Sequence, residues 1–305
     1  MKILITADWH VRGEKPICRT EENWIESQRK TISEIREVFE KNECDQIWIL
    51  GDLFDSPRCS TEAVNMLISE LKKFPYDSVK ILCGNHDLKD HNYENLEQCS
   101  IGTLMKIFSG IPGHVKNKNY AEEISANAFG LDDYETEADV VCTHQLTFPN
   151  EEARPMPDCG VLAQDLLDQF KTAEVIFTGD YHHSFIYVDG TSEPERCVVN
   201  PGCINIQKAD ELDYEPSVII WNVEWSGFEK FEKVFLDPQR ENCTRDHIEE
   251  REKNESMLSE VVETIKGGTE ITLDFDSNLE EQVKKTTPAI INEYELMRQD
   301  LNGEK

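Results

Sequence analysis

The fold class this sequence predicts is α/β: two sheets packed face to face with helices outside, an αββα sandwich, followed by a small C-terminal α/β addition. Three observations predict it. Short apolar runs alternate with amphipathic helical patterns through the first half of the chain, the rhythm of β-α-β units with parallel strands. The second half is richer in strands, enough for a second sheet. Five short acidic and histidine motifs each sit just after one of the apolar runs, so ligand-type side chains would gather along one sheet edge.

The first apolar run, 2–6, reads as a buried strand. Residues 22–40 carry Ile25, Ile32, Ile35, Val38 and Phe39 on one helical face. Residues 46–50 form the next strand. Residues 62–73 place Val64, Leu67, Ile68 and Leu71 at helical spacing. A third strand is expected at 79–83. Buried runs at 139–142 and 174–178 end at motifs, and 196–199, 217–223 and 230–236 read as further strands. The catalytic domain is therefore expected over 1–236. From residue 237 the chain turns polar and charged. Leu258, Val261, Val262 and Ile265 mark a helix closed by Gly267-Gly268. Residues 269–276 alternate like a strand, and 278–301 read as helix interrupted by Pro288. A segment of this size, 237–305, makes a small acidic subdomain for capping or partner binding.

The chain has 305 residues and a net charge of −30. A charge of that sign excludes a phosphate-gripping basic face over the whole surface. A phosphate-bearing substrate then needs bound cations, a local basic cluster or a partner; otherwise the substrate is small. The ten cysteines lack any C-x-x-C pair, which speaks against a zinc cluster and for reduced, buried thiols. The sequence starts without a basic and apolar leader and contains no run of transmembrane length. A cytoplasmic, intracellular protein without a membrane association is the expectation.

The motifs read Asp8-Trp9-His10, Gly51-Asp52-Leu53-Phe54-Asp55, Gly84-Asn85-His86-Asp87, Thr143-His144 and Gly179-Asp180-Tyr181-His182-His183. Asp8 and His10, two apart at a strand end, offer one oxygen and one nitrogen. Asp52 can bridge two cations, Asn85 gives a neutral oxygen, His144 and His182 add nitrogens and Asp180 adds a carboxylate. Such a set suits two divalent cations roughly 3.5–4 Å apart that polarise a phosphate and activate water. Taken singly, Asp8 suits a helix cap, a Gly-Asp pair a turn, and His86 or His144 a structural histidine. Caps and turns do not account for five motifs in order, each behind a buried run.

The pattern resembles the calcineurin-like metallophosphoesterase superfamily, with its D-x-H, G-D-x-x-D, G-N-H-D/E, lone His and G-H-x-H. Four motifs match residue for residue; the fifth has Asp180 where the first His is usual. Aspartate is a competent ligand for manganese or magnesium and hardens the site. The resemblance implies one cation on Asp8, His10, Asp52 and His182 and another on Asp52, Asn85, His144 and Asp180, with His183 the second choice for His182. It makes His86 a non-ligand catalytic histidine that contacts the phosphate and protonates the leaving oxygen. Asp87 would orient it, and Asp55 would support the ligands, unless these two carboxylates merely cap or close turns.

Within the superfamily, residues 51–63 and the long stretch 11–28 look like the SbcD-type exonucleases of double-strand-break repair. Asn200-Pro201-Gly202-Cys203 resembles that branch's tyrosine-proline-glycine-serine segment, altered at both ends. This implies a DNA exo- or endonuclease subunit, a coiled-coil ATPase partner of SbcC type, and a fold compatible with a homodimer. A phosphatase or small-nucleotide phosphodiesterase is the alternative that the charge favours, and a non-catalytic adaptor the one the ligand set opposes. Arg12, Lys15, Arg19 and Arg58 follow the first two motifs closely and are the candidate DNA contacts; ordinary solvated surface is the competing reading.

Overall fold

In the computed structural model, the described residues are 1–111, 138–191, 195–224 and 230–246, the backbone of 115–116 and 123–127, and short pieces beyond 246. The chain divides into two compact units, Met1–Cys243 and Thr244–Lys305.

The strands of the first unit are β1 (Lys2–Thr6), β2 (Gln46–Leu50), β3 (Val79–Leu82), β4 (Ser109–Gly110), β5 (Val115–Lys116), β6 (Glu123–Asn127), β7 (Val140–Thr143), β8 (Thr147–Phe148), β9 (Val161–Leu162), β10 (Val175–Phe177), β11 (Phe185–Asp189), β12 (Arg196–Asn200), β13 (Ser217–Asn222) and β14 (Phe231–Phe235). Its α-helices are α1 (Trp24–Lys41), α2 (Thr61–Leu71), α3 (Ser100–Met105) and α4 (Ala163–Gln169). One six-stranded sheet runs β14-β13-β1-β2-β3-β4, the other β11-β12-β10-β7-β6-β5, and β8 pairs with β9. β1, β2, β3 and β4 are parallel, as are β6, β7, β10 and β12. The outer strands β13, β14, β11 and β5 are antiparallel to their neighbours.

Alternation along the strands builds the layers, since successive side chains point to opposite faces. Ile3, Ile5, Trp48 and Leu50 face the second sheet, where they meet Val140, Cys142, Val175, Phe177 and Val199. Trp48, Phe177 and Trp221 lie ring against ring at 5.1–6.3 Å in this inter-sheet core. Leu4, Ile47, Ile49 and Ile81 point the other way, onto Ile32, Ile35, Leu67 and Leu71 of α1 and α2. On the far side, Val141, Ile176 and Val198 pack against Leu166 and Leu167 of α4. The result is the expected αββα order of layers. Each fully buried aliphatic chain contributes about 1.5–3 kcal/mol.

Both long helices begin on side-chain caps. Asn23 accepts from Glu26 N at 3.1 Å and Ser60 from Ala63 N at 3.2 Å, each satisfying an otherwise orphaned N–H. Several elements escaped the sequence reading, among them α3, β6, β11 and α4. β11, Phe185-Ile186-Tyr187-Val188-Asp189, is half-buried through its apolar residues, and α4 is a single short stretch without a side-chain cap.

All ten cysteines are free thiols, seven of them buried. Residues 237–243 close the first unit: Gln239 Nε2 donates to Thr31 Oγ1 at 3.0 Å, and Cys243 forms a bridge with Arg19. In the second unit, 255–259 and 290–295 are helical; the strand expected at 269–276 and the Gly267-Gly268 stop lie outside the described residues. Among the described residues no helix is long and apolar enough to cross a membrane.

Candidate metal centre

Each motif occupies the turn that leaves a parallel strand: Asp8 and His10 after β1, Asp52 after β2, Asn85 and His86 after β3, His144 after β7, and Asp180 and His182 after β10. These turns are tightly wound. Asp8, His10, Asp52 and Asp180 all have left-handed backbone, with φ of 51°, 44°, 48° and 73°, a conformation that costs free energy and clusters at functional sites. Backbone bonds hold it. Asp8 N donates to Gly51 O at 3.1 Å and His10 N to Asp52 O at 2.9 Å, tying the first two turns together. Trp9, between the two candidate ligands, is buried and donates its indole N–H to Thr6 Oγ1 at 2.9 Å.

The structure brings the two sheets' turns into contact. His10 Nε2 stands 3.1 Å from His182 Nε2, and ligand atoms of Asp8, His10 and His182 lie within 4.8 Å of one another. A second group joins Asp8, Asp52 and His144 on the same terms. His144 Nε2 is 3.2 Å from Asp52 Oδ2 and 3.1 Å from Asn85 Oδ1. The Asn85 oxygen also faces both Asp52 oxygens at 3.1 Å. His144 donates its Nδ1–H to Leu50 O at 2.6 Å, because a carbonyl can only accept, so its Nε2 turns inward.

This inward set consists of acceptors. Two arrangements satisfy it. In one, Asn85 turns its NH2 toward Asp52 and toward His144 Nε2, which accepts through its lone pair; in the other, a divalent cation sits among oxygen and nitrogen lone pairs. The donor set fits the cation, being carboxylate, amide oxygen and imidazole.

The electrostatics agree. Burial opposes a charge on His144, yet the Asp52 carboxylate outweighs it and lifts the imidazole to about 10. Burial raises the Asp8 carboxyl to about 6, against the pull of His144 and His182. Burial lowers His10 to about 3, so it is a neutral imidazole with a lone pair to give.

The other predicted residues fall in different places. Asp180 donates its backbone N–H to both Asp8 oxygens at 3.1 and 3.2 Å. Its carboxylate is outside the clustered donor atoms, although close enough to raise Asp8 and His144. His183 is exposed and packs on Tyr181 and Tyr214 at 5.4 and 5.1 Å. His86 is exposed, with its Nδ1–H on Asp55 O at 2.9 Å and its ring edge-on to His10 at 5.0 Å. Asp55 lies between His10 Nδ1 at 3.8 Å and Arg12 Nη1 at 3.1 Å.

Two expectations are corrected. Asp87 does not orient His86. Its buried carboxylate accepts from Leu53 N, Phe54 N and Gly84 N at 3.2, 2.8 and 2.9 Å, which welds the second and third turns together. Arg19 is 3% exposed; it forks onto Glu21 and lies over Trp24, so it supports the fold and offers no charge to a ligand. Lys15 gives its ammonium to Glu21 O at 2.8 Å. Arg12 alone of the four meets the centre, through Asp55, while Arg58 is exposed.

The sequence reading missed Glu211, whose carboxylate meets His182 Nδ1 at 2.5 Å, and Gln207, which donates to Trp9 O and His10 O, both at 3.2 Å. Neither follows a strand directly nor lies in a motif, so nothing local marked them.

Residues 1–184 match the calcineurin-like phosphoesterase family. A stretch of 97 residues is 31% identical to the SbcD component of the nuclease SbcCD of Staphylococcus epidermidis; it covers 30% of this chain and 25% of that protein, so the match spans about a quarter of the relative's length. Similar solved structures include an archaeal phosphodiesterase, at 13% identity over 77% of this chain and 100% of the other with a TM-score of 0.41. A dimetal phosphatase from Danio rerio matches at 9% identity over 78% and 99%, with a TM-score of 0.44.

Proposed function

The chain belongs to the calcineurin-like phosphoesterase family, and from that premise we propose that it is a two-cation phosphodiesterase, a DNA exo- or endonuclease subunit of SbcD type acting in recombination or repair. The observation that carries the reading is the set of inward-facing acceptors: Asp8, Asp52, Asn85, His10, His144 and His182 meet across the seam between the sheets. One half-centre is Asp8, His10 and His182, the other Asn85 and His144, with Asp52 between them. Asp180 completes the second half by turning its carboxylate inward. Manganese or magnesium suits the oxygen-rich donors. When bound, the two cations supply charge to the phosphate oxygens and activate a water.

The chain's own residues do the rest. His86 is held by the Asp55 carbonyl through Nδ1–H, which leaves Nε2 to meet the phosphate; in its doubly protonated form the ring gives the Nε2 proton to the departing sugar oxygen and keeps the Nδ1 proton on Asp55. Asp55 carries Arg12 beside this position, a cation for the flanking phosphate. Arg58 is the second candidate contact. The similarity to the SbcD component of that nuclease supports DNA as substrate and a coiled-coil ATPase as partner. With a net charge of −30 the isolated chain has little long-range attraction for DNA, and a partner supplies the grip.

The same charge favours a second reading, a phosphatase or small-nucleotide phosphodiesterase. Chelator-treated protein reloaded with Mn2+ and offered linear DNA, a chromogenic phosphodiester and a phosphomonoester separates them. Cleavage of DNA and the diester is expected. Turnover of the monoester alone transfers the assignment to a phosphatase, and turnover of none leaves an adaptor.

A further inference from the structure

The turn that follows β12, residues 203–211, reaches both histidine-bearing turns of one half-centre. Cys203 N donates to His182 O at 3.0 Å. Gln207 Nε2 donates to Trp9 O and His10 O. Glu211 is 4% exposed; one carboxylate oxygen accepts from His182 Nδ1 at 2.5 Å, and the other accepts from Gln207 N and Lys208 N, both at 3.0 Å. Thr31 Oγ1 donates to Asn205 Oδ1 at 2.8 Å, anchoring the turn to α1.

We infer that Glu211 is the positioning residue of the half-centre formed by Asp8, His10 and His182, and that Gln207 in the same turn holds the His10 strand end in register with it. The inference rests on the two-cation reading. A carboxylate on Nδ1 keeps the proton on that nitrogen, so the Nε2 lone pair points at His10 and Asp8. It also makes the imidazole a stronger donor to a cation. His144, in the other half-centre, receives the same service from the Leu50 carbonyl, a neutral acceptor. The two halves therefore differ in how their histidines are held.

Cys203 Sγ lies within 4.8 Å of ligand atoms of His182 and Glu211, which raises the question of a further metal position there. Its thiol donates to Asn205 O at 3.3 Å, and Glu211 already accepts three N–H groups. The cluster is satisfied without an ion and acts as a brace.

Glutamine cannot replace Glu211. Its amide offers one acceptor where the carboxylate uses two, so it loses either the His182 bond or the N–H groups of the turn. The test titrates chelator-treated wild type, Glu211→Gln, Gln207→Ala and Leu67→Ala with Mn2+ by calorimetry, and records the melting temperature of each metal-free protein. Wild type takes up two Mn2+. Glu211→Gln weakens one of the two sites by about 10–100-fold and leaves the other intact, and Gln207→Ala weakens the same site by less. Leu67→Ala, a core residue of α2 away from the turn, lowers the melting temperature and changes neither affinity. If Glu211→Gln does not fold, Gln207→Ala decides alone, and an unchanged pair of affinities overturns the inference. Wild-type affinities in Glu211→Gln overturn it, as does a loss that tracks melting temperature across Glu211→Gln and Leu67→Ala. Wild type that takes up no Mn2+ overturns the two-cation reading and this inference together; two Mn2+ in wild type with no effect of Glu211→Gln overturns only this one.

Discussion

His10 and His182 come from turns of different sheets, 172 residues apart in the chain, and their Nε2 atoms meet at 3.1 Å. One ring hangs from β1 of the first sheet and the other follows β10 of the second. Each is held from behind: the His10 carbonyl by Gln207, the His182 ring by Glu211. The centre thus spans the inter-sheet seam, and the packing of Trp48, Phe177 and Trp221 beneath it sets the spacing.

Metal binding and chemistry separate at Asp52 and His86. Asp52→Ala removes the carboxylate shared by His10, Asn85 and His144 and should empty the centre in elemental analysis. His86→Ala should keep two metals and lose about 10²–10⁴-fold in turnover. Loss of metal in His86→Ala to the same extent as in Asp52→Ala contradicts the role given to His86.

The register of the fifth motif is testable in the same way. His182→Ala should lower metal content far more than His183→Ala, since His183 faces Tyr181 and Tyr214. The reverse order would move the ligand to His183.

The metal-free protein should lose stability as pH rises from 7 to 9. Burial disfavours charge on both His144 and His182, but Asp52 and Glu211 outweigh it and raise both imidazoles, His144 to about 10. A group raised in the folded state stabilises fully below its unfolded pKa, near 6.5, and that stability fades as pH climbs through the folded value. One proton accounts for up to about 1.4 kcal/mol per pH unit. Thermal melts of chelated protein should slope downward across this window, and saturating Mn2+ should flatten the slope. A pH-independent melting temperature in the chelated protein contradicts the assignment.

Charge reversals divide the four early basic residues. Arg12→Glu and Arg58→Glu should cut DNA cleavage more than cleavage of a small chromogenic diester. Arg19→Ala should instead unfold the first unit at lower temperature, because it strips Glu21 of its buried partner; breaking such a pair costs about 3–5 kcal/mol. Normal stability in Arg19→Ala with a selective loss of DNA cleavage would restore Arg19 to the substrate.

The motif glycine Gly84 admits no side chain. A Cβ there would run into the Asp52 carboxylate and its backbone nitrogen. Gly84→Ala should lower metal occupancy and destabilise the fold by about 1–3 kcal/mol. Full metal content at wild-type melting temperature would show that the turn has room to spare.

Much of this protein was legible in one dimension. The sequence by itself determined the strands β1, β2 and β3, the helices α1 and α2, and the turns that carry Asp8, His10, Asp52, Asn85, His86, His144 and His182. Hydrophobic period and strand-end position are local properties, readable wherever the run is buried and uninterrupted. Strand β11 is marked only by the short run Phe185-Ile186-Tyr187-Val188 beside the fifth motif, and helix α4, seven residues without a side-chain cap, is too short to show a period. Only the tertiary structure decided which side chains serve the centre and which serve the fold. Asp87 and Arg19 look like site residues by position, yet the first spends its charge on three backbone amides and the second on Glu21. Glu211 and Gln207 look like ordinary loop residues, yet they hold His182 and His10. Gln207 meets His10 across 197 residues and Glu211 meets His182 across 29; such partners are set by how strands and sheets stack, and that stacking depends on the whole core, not on the residues beside any one motif.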